Sequence, residues 1–319
     1  MFIDIILIII GLAVLVIASN MLIEAVVKLA EKMHISKLIV SLTIVALGTS
    51  VPETVVSVMA SINGSSIAFS NIAGSNIINI CLVFGIALLA GTVIIHKNMK
   101  LEIEKMTAVT GIFIILSILG MGIGKVDGVI MLLMLMIYIL SLFFMSKKDK
   151  ELENSDEAEQ WVYELGLKLM KKDWIVILVF IIAGCLGLFL GGNLVVEMAT
   201  NIAVKLNVNE GIIGATIVAI GTALPELTTT IAAIRKKQFD IIIGNVVGSN
   251  IINILLILGI SGIVGKVPIG SFEIEQLVLL GLATALMYYV TIHKKKIGRK
   301  EGVVFTLFYL ATFILTING

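Results

Sequence analysis

The chain has 319 residues, 59% hydrophobic and 14% charged, with 23 Lys and Arg against 22 Asp and Glu. A soluble domain carries about 25% charged residues, so this composition and a mean hydropathy of +1.12 exclude an ordinary soluble protein. A net charge of +1 gives no field for gathering nucleic acid.

Apolar stretches long enough to cross a bilayer as helices recur from the N-terminus onward. The first, near 2–24, lacks the basic n-region and A-x-A-like cleavage site of a signal peptide, so it reads as a retained helix. The second, near 38–62, contains "TIVALGTSVPE" at 43–53, and the third, near 67–93, contains "GSNIINI" at 74–80. The fourth and fifth lie near 103–123 and 127–146. The one long polar segment follows, "SKKDKELENSDEAEQWVYELGLKLMKKD", a solvated and partly helical connector whose acidic run lacks EF-hand spacing. The sixth stretch lies near 174–195. The seventh, near 210–234, contains "TIVAIGTALPE" at 216–226, and the eighth, near 241–264, repeats "GSNIINI" at 248–254. The ninth and tenth lie near 273–292 and 302–318.

These blocks recur in the same order, at offsets of 173 and then 174, and Asn20 and Glu24 match Asn193 and Glu197 upstream. The chain therefore reads as a duplicated five-helix unit. The first repeat covers 1–146, with its motif region at 43–80. The connector covers 147–173, and the second repeat covers 174–319, with its motif region at 216–254. Of the 23 basic residues, 20 fall on alternate connections that include the connector, and only Lys125, Lys205 and Lys266 fall on the other side. Positive residues stay cytoplasmic, so the connector is expected inside and both termini outside a plasma membrane crossed ten times. Five is odd, so the second unit enters upside down relative to the first. The expected fold is an all-α integral membrane protein of ten transmembrane helices in two inverted five-helix repeats, with a binding site at their interface.

Glu53 and Glu226 stand well inside apolar runs, where a carboxylate costs several kcal/mol and is a functional residue by default. Each follows a proline, which removes a helical amide and breaks the backbone, leaving carbonyls for a cavity. Thr49 and Glu53 share a helix face at a spacing of four, as do Thr222 and Glu226, Ser75 and Asn79, and Ser249 and Asn253. An inverted pair of these segments would gather carboxylates, hydroxyls, amide oxygens and freed carbonyls. That all-oxygen set suits a hard cation; calcium accepts six to eight such ligands, whereas magnesium demands a tight octahedron. No His or Cys cluster suggests a transition metal.

The paired "GTSVPE…GSNIIN" and "GTALPE…GSNIIN" resemble the α-repeats of the cation/calcium exchanger superfamily, above all its prokaryotic sodium/calcium exchangers, and the likeness covers nearly the whole chain. The resemblance implies antiport of Ca2+ against several Na+ by alternating access, electrogenic, by a monomer in a lipid bilayer and without a cofactor. It implies calcium ligands from the carboxylates of Glu53 and Glu226 and the carbonyls of Thr49 and Thr222. For sodium it implies those glutamates, the carbonyls of Ala46 and Ala219, and the side chains of Ser50, Ser75, Thr222 and Ser249, with Asn79 and Asn253 lining the middle. Two departures stand out. Ala223 replaces the serine of the first repeat, which removes one hydroxyl from a sodium position, and Asn253 replaces the aspartate of potassium-dependent relatives, so potassium co-transport is not expected. A calcium/proton antiporter using the same glutamates is the alternative. An intramembrane enzyme would need a nucleophile–base pair or a metal cluster, and these runs offer no buried histidine and no pair of aspartates.

Other residues have plainer readings. Glu24 and Glu197 read as interfacial carboxylates, Asn71 and Asn245 as packing groups around the site, and Cys81 and Cys185 as small packing residues. His34, His96 and His293 read as interfacial.

Overall fold

The computed structural model describes residues 2–148, 174–205 and 219–318; most of the expected connector and the start of the expected seventh stretch lie outside them. Helix α1 spans Phe2–Met33, α2 Lys37–Thr49, α3 Val51–Ile62, α4 Ile67–Ala90, α5 Lys97–Gly120 and α6 Lys125–Lys148. After the connector come α7 Trp174–Lys205, α8 Ala219–Thr222, α9 Leu224–Arg235, α10 Phe239–Val264, α11 Ser271–His293 and α12 Arg299–Asn318. Among the described residues, seven helices are long and apolar enough to cross a membrane, and α2 with α3 makes an eighth across a 54° bend. The expected seventh stretch is described only from Ala219. The expected tenth, α12, opens with the polar turn Arg299–Gly302, which shortens its apolar run.

A helix that is apolar all round belongs in an interior. Of the apolar span of α10, 94% is buried, and of α4, 78%; α1 and α6 bury only 28% and 22%. The motif-bearing helices are thus the core. The outer helices turn Ile, Leu and Phe outward, among them Ile9, Ile137 and Phe144.

Close approach at the centre depends on glycine. A Cβ on Gly248 of α10 would lie 2.7 Å from the Leu42 carbonyl oxygen and 2.8 Å from Ala46 Cβ, and one on Gly244 would lie 2.6 Å from Ser41 Cβ. The Ser41 hydroxyl donates to the Ile241 carbonyl at 2.7 Å, so α2 and α10 are in contact along their length. At the periphery α1 and α7 pack antiparallel. Gly191 approaches Gly11, Gly184 approaches Leu22, and Lys205 at the end of α7 meets Asp4 at the start of α1 at 2.6 Å. At the other end the Lys32 ammonium lies 4.9 Å over the Trp174 ring.

Among the described residues, three helices contain π-helical turns, at Ser41–Val45, Ile78–Val83 and Asn253–Leu258. The last two occupy near-equivalent places in the duplicated "GSNIINI" helices. Among the described residues, two antiparallel ladders of two residues each also occur in connections, where residue alternation is too short to be read from sequence. Val93–Ile94 (β1) pairs with Lys296–Ile297 (β4), and Gly122–Ile123 (β2) pairs with Val267–Pro268 (β3). They join the α4–α5 connection to α11–α12, and the α5–α6 connection to α10–α11.

One carboxylate departs from its expected setting. Glu102, expected in a connection, lies fully buried within α5. It is satisfied by Lys105 at 2.6 Å and the Tyr138 hydroxyl at 3.0 Å, and so ties α5 to α6.

Candidate functional site

Helix α2 ends at Thr49, and α3 starts at Val51 after Ser50, whose φ −85°, ψ 14° leaves the helical region. The second repeat is interrupted at the matching place, Ala223, which lies between α8 and α9 with φ −84°, ψ 0°, still within the right-handed helical region. Pro52 and Pro225 are each the second residue of the new helix, where a missing amide is tolerated. The interruption therefore precedes the proline, whose lost N–H withholds the bond that the Gly48 or Gly221 carbonyl would otherwise receive. The two glycines have a further role. A side chain on Gly48 would overlap the Cys185 sulfur, and one on Gly221 would overlap Val196, so both let α7 pack against the breaks.

Each break is followed by its glutamate in the first turn of the new helix, Glu53 in α3 and Glu226 in α9, where the helix dipole favours negative charge. Both glutamates are 1% exposed. They lie close enough for mutual electrostatic repulsion, and the Ser75 hydroxyl reaches Glu53. Ser50 of the first repeat donates to Glu226 Oε1 at 3.5 Å, and Thr49 also reaches that carboxylate. The Thr49 hydroxyl further contacts Asn245 Oδ1 at 3.2 Å, Ser249 Oγ at 3.3 Å and the Ala46 carbonyl at 3.4 Å.

The structure thus brings together Glu53, Glu226, Thr49, Ser50, Ser75, Ser249 and Ala46. Thr222 is buried at the end of α8, Asn79 and Asn253 are buried at the π-turns of α4 and α10, and Ala219 opens α8. Asn71 donates to the Glu53 carbonyl and Asn245 to the Glu226 carbonyl, each at 3.5 Å, so these asparagines brace the two breaks in matching ways. Asn76 and Asn250 of the duplicated "GSNIIN" are not among the expected ligands, and here they act between helices. The Asn253 amide donates to Asn76 Oδ1 at 3.0 Å, and the Asn76 amide donates to the Asn250 carbonyl at 3.2 Å, joining the two core helices.

Several buried oxygens here accept no hydrogen bond from the protein: Glu53 Oε2, Glu226 Oε2, Asn79 Oδ1 and Asn253 Oδ1. Unsatisfied buried acceptors, two of them on carboxylates, form an environment that a cation or a proton stabilises. Among the described residues, the basic groups that find carboxylates are elsewhere. Lys236 holds Glu24 at 2.5 Å, and His96 meets Asp240 at 2.7 Å, while Glu197 is exposed. Among the described residues there is no group of three or more His, Cys, Asp and Glu placed to hold a metal, so oxygens from Ser, Thr, Asn and backbone must complete any cation shell.

The chain is similar along its length to known membrane proteins. An uncharacterized membrane protein, MJ0091, of Methanocaldococcus jannaschii is 30% identical over 303 residues, covering 94% of this chain and 93% of the relative. The sodium/calcium exchanger MaX1 of Methanosarcina acetivorans is 28% identical, covering 98% of each chain. A solved structure of the sodium–calcium exchanger NCX_Mj, soaked with Na+ and Sr2+, superposes with a TM-score of 0.83 at 27% identity, covering 98% of each chain. The family model described as sodium/calcium exchanger protein matches residues 3–147 and 176–318, and the chain accordingly belongs to the sodium/calcium exchanger family of membrane transporters.

Proposed function

We propose that this protein exchanges Ca2+ for Na+ across the plasma membrane by alternating access. The exchange moves several Na+ per Ca2+, and so net charge, and it does not require K+. Its ten helices form two inverted five-helix repeats, with the connector cytoplasmic and both termini outside. The observation that carries the reading is the meeting of two buried glutamates from the two halves, with the Ser50 hydroxyl of one half on the Glu226 carboxylate of the other. Two carboxylates neutralise one divalent ion, or hold sodium ions among the surrounding hydroxyls and carbonyls, and the two loads compete for the same oxygens. Competition for one site converts a sodium gradient into calcium movement.

The antiparallel packing of α1 against α7 supports inversion, because these helices open the two repeats. The β ladders support the same parity, since they join connections that the lysine distribution assigns to a common side.

Vesicles loaded with Na+ and diluted into Na+-free medium containing Ca2+ should accumulate Ca2+. Glu53→Gln and Glu226→Gln should each reduce uptake to the level of protein-free vesicles. Uptake that survives both substitutions refutes the mechanism, and uptake driven by a pH gradient without Na+ would instead establish proton coupling.

A further inference from the structure

The two repeats carry the same helix end with different chemistry. Helix α3 closes at Asn63 (φ −87°, ψ 4°) and α9 at Lys236 (φ −92°, ψ 7°), 173 positions apart. The next residues, Gly64 and Lys237, both take positive φ, 65° and 53°. The backbone bonds match as well: Ser65 N–H donates to the Ala60 carbonyl at 3.0 Å, and Gln238 N–H to the Ala233 carbonyl at 2.9 Å. Asn63 and Lys236 are therefore the same structural position.

Their surroundings differ. Lys236 bonds Glu24 of α1 at 2.5 Å and reaches the Asn20 carbonyl at 3.5 Å, in a half-buried setting. The repeat-related pair on α7, Asn193 and Glu197, is exposed, and Asn63 turns its amide back to Met59 of its own helix at 3.2 Å. Helices α1 and α7 are tied to each other at both ends, by Asp4–Lys205 and Lys32–Trp174. The Glu24–Lys236 pair instead ties that unit to the α9–α10 turn, which belongs to the core.

We infer that Glu24–Lys236 is a one-sided latch: it holds the α1–α7 unit against the α9–α10 turn, and so biases the transport cycle toward the state closed at that face. The inference rests on the exchange reading above. Alternating access in an inverted-repeat transporter exchanges the arrangements of the two halves. The alternative state therefore separates Glu24 from Lys236 and brings Glu197 toward position 63. There asparagine offers no charge, so the opposite face closes without a latch. A one-sided tie shifts the populations of the two states, and the apparent affinity of each face scales with the fraction of the state open to it.

The test measures half-saturating Ca2+ at each face, in oriented vesicles of the full chain. Lys236→Asn, which installs the residue of the other repeat, and Glu24→Gln should each lower the value at the α9–α10 face relative to the opposite face, by roughly threefold for a half-buried ion pair. The exchanged pair Glu24→Lys with Lys236→Glu should return the ratio to that of the parent. Asn63→Lys, which gives up only the exposed bond from the Asn63 amide to Met59, should shift the ratio in the same direction as Lys236→Asn by pairing with Glu197, and adding Glu197→Gln should abolish that shift. An unchanged ratio in actively exchanging Lys236→Asn protein overturns the latch, as does an Asn63→Lys effect that persists without Glu197. Absence of Na+-dependent Ca2+ movement in the parent protein overturns the exchange reading instead.

Discussion

At the scale of single residues, the site is two similar halves that differ at one hydroxyl. Ser50 interrupts the first repeat and donates to the glutamate of the second; Ala223 interrupts the second and has no hydroxyl for Glu53. By repeat symmetry, Ala223→Ser should place one beside Glu53. Half-saturating Na+ in the vesicle assay should then fall by about fivefold, the worth of one hydrogen-bonding oxygen near 1 kcal/mol. An unchanged sodium dependence would mean that this position does not face the ions. The duplicated carboxylates, threonines and serines were legible in the sequence because polar groups repeated inside apolar runs have few structural uses. Asn76 was not, because an amide bridging two helices and an amide facing an ion look alike until partners are known.

At the scale of elements, the glycine contacts decide how closely the core helices meet. Gly248→Ala would drive a methyl against the Leu42 carbonyl and Ala46, backbone and short side chain that cannot swing aside. It should destabilise the protein by about 1–3 kcal/mol, seen as a lower melting temperature in detergent. Gly111→Ala on α5 meets nothing within 4 Å and should leave stability unchanged or raise it by about 0.5–1 kcal/mol through helix propensity. Equal effects of the two would refute the close-packing account. The sequence indicated that each motif helix breaks near its proline, but not that the interruption sits at Ser50 and Ala223. Proline marks the first turn of the following helix as readily as the end of the preceding one. The π-turns were invisible, since one inserted residue per turn leaves an apolar pattern nearly unaltered. The two in α4 and α10 matter because one carries Asn79 and the other begins with Asn253.

At the scale of the molecule, duplication was the most legible feature, because an ordered repeat of whole blocks survives side-chain drift. Burial was less so: α1 and α10 are both strongly apolar, yet one faces outward and the other fills the core, and composition does not separate a lipid surface from a protein interior. Ion binding across the two halves predicts a global effect. Ca2+ at about 100 times its dissociation constant should stabilise the fold by about 2.7 kcal/mol, read as a raised melting temperature. Glu53→Gln and Glu226→Gln should each remove the increment while leaving the ion-free melting temperature equal or higher, because a buried charge has been deleted. An increment that survives in both variants would place calcium elsewhere.

The matched turns at Asn63–Gly64 and Lys236–Lys237 bear on why the two halves share one chain. Two identical subunits assembled head to tail would present the same amino acid at both doors, and any change to one door would be copied to the other. Gene fusion releases that constraint: a single codon can stiffen one entrance and spare its twin. Direction-dependent kinetics can then evolve without disturbing the ion site proposed between the halves.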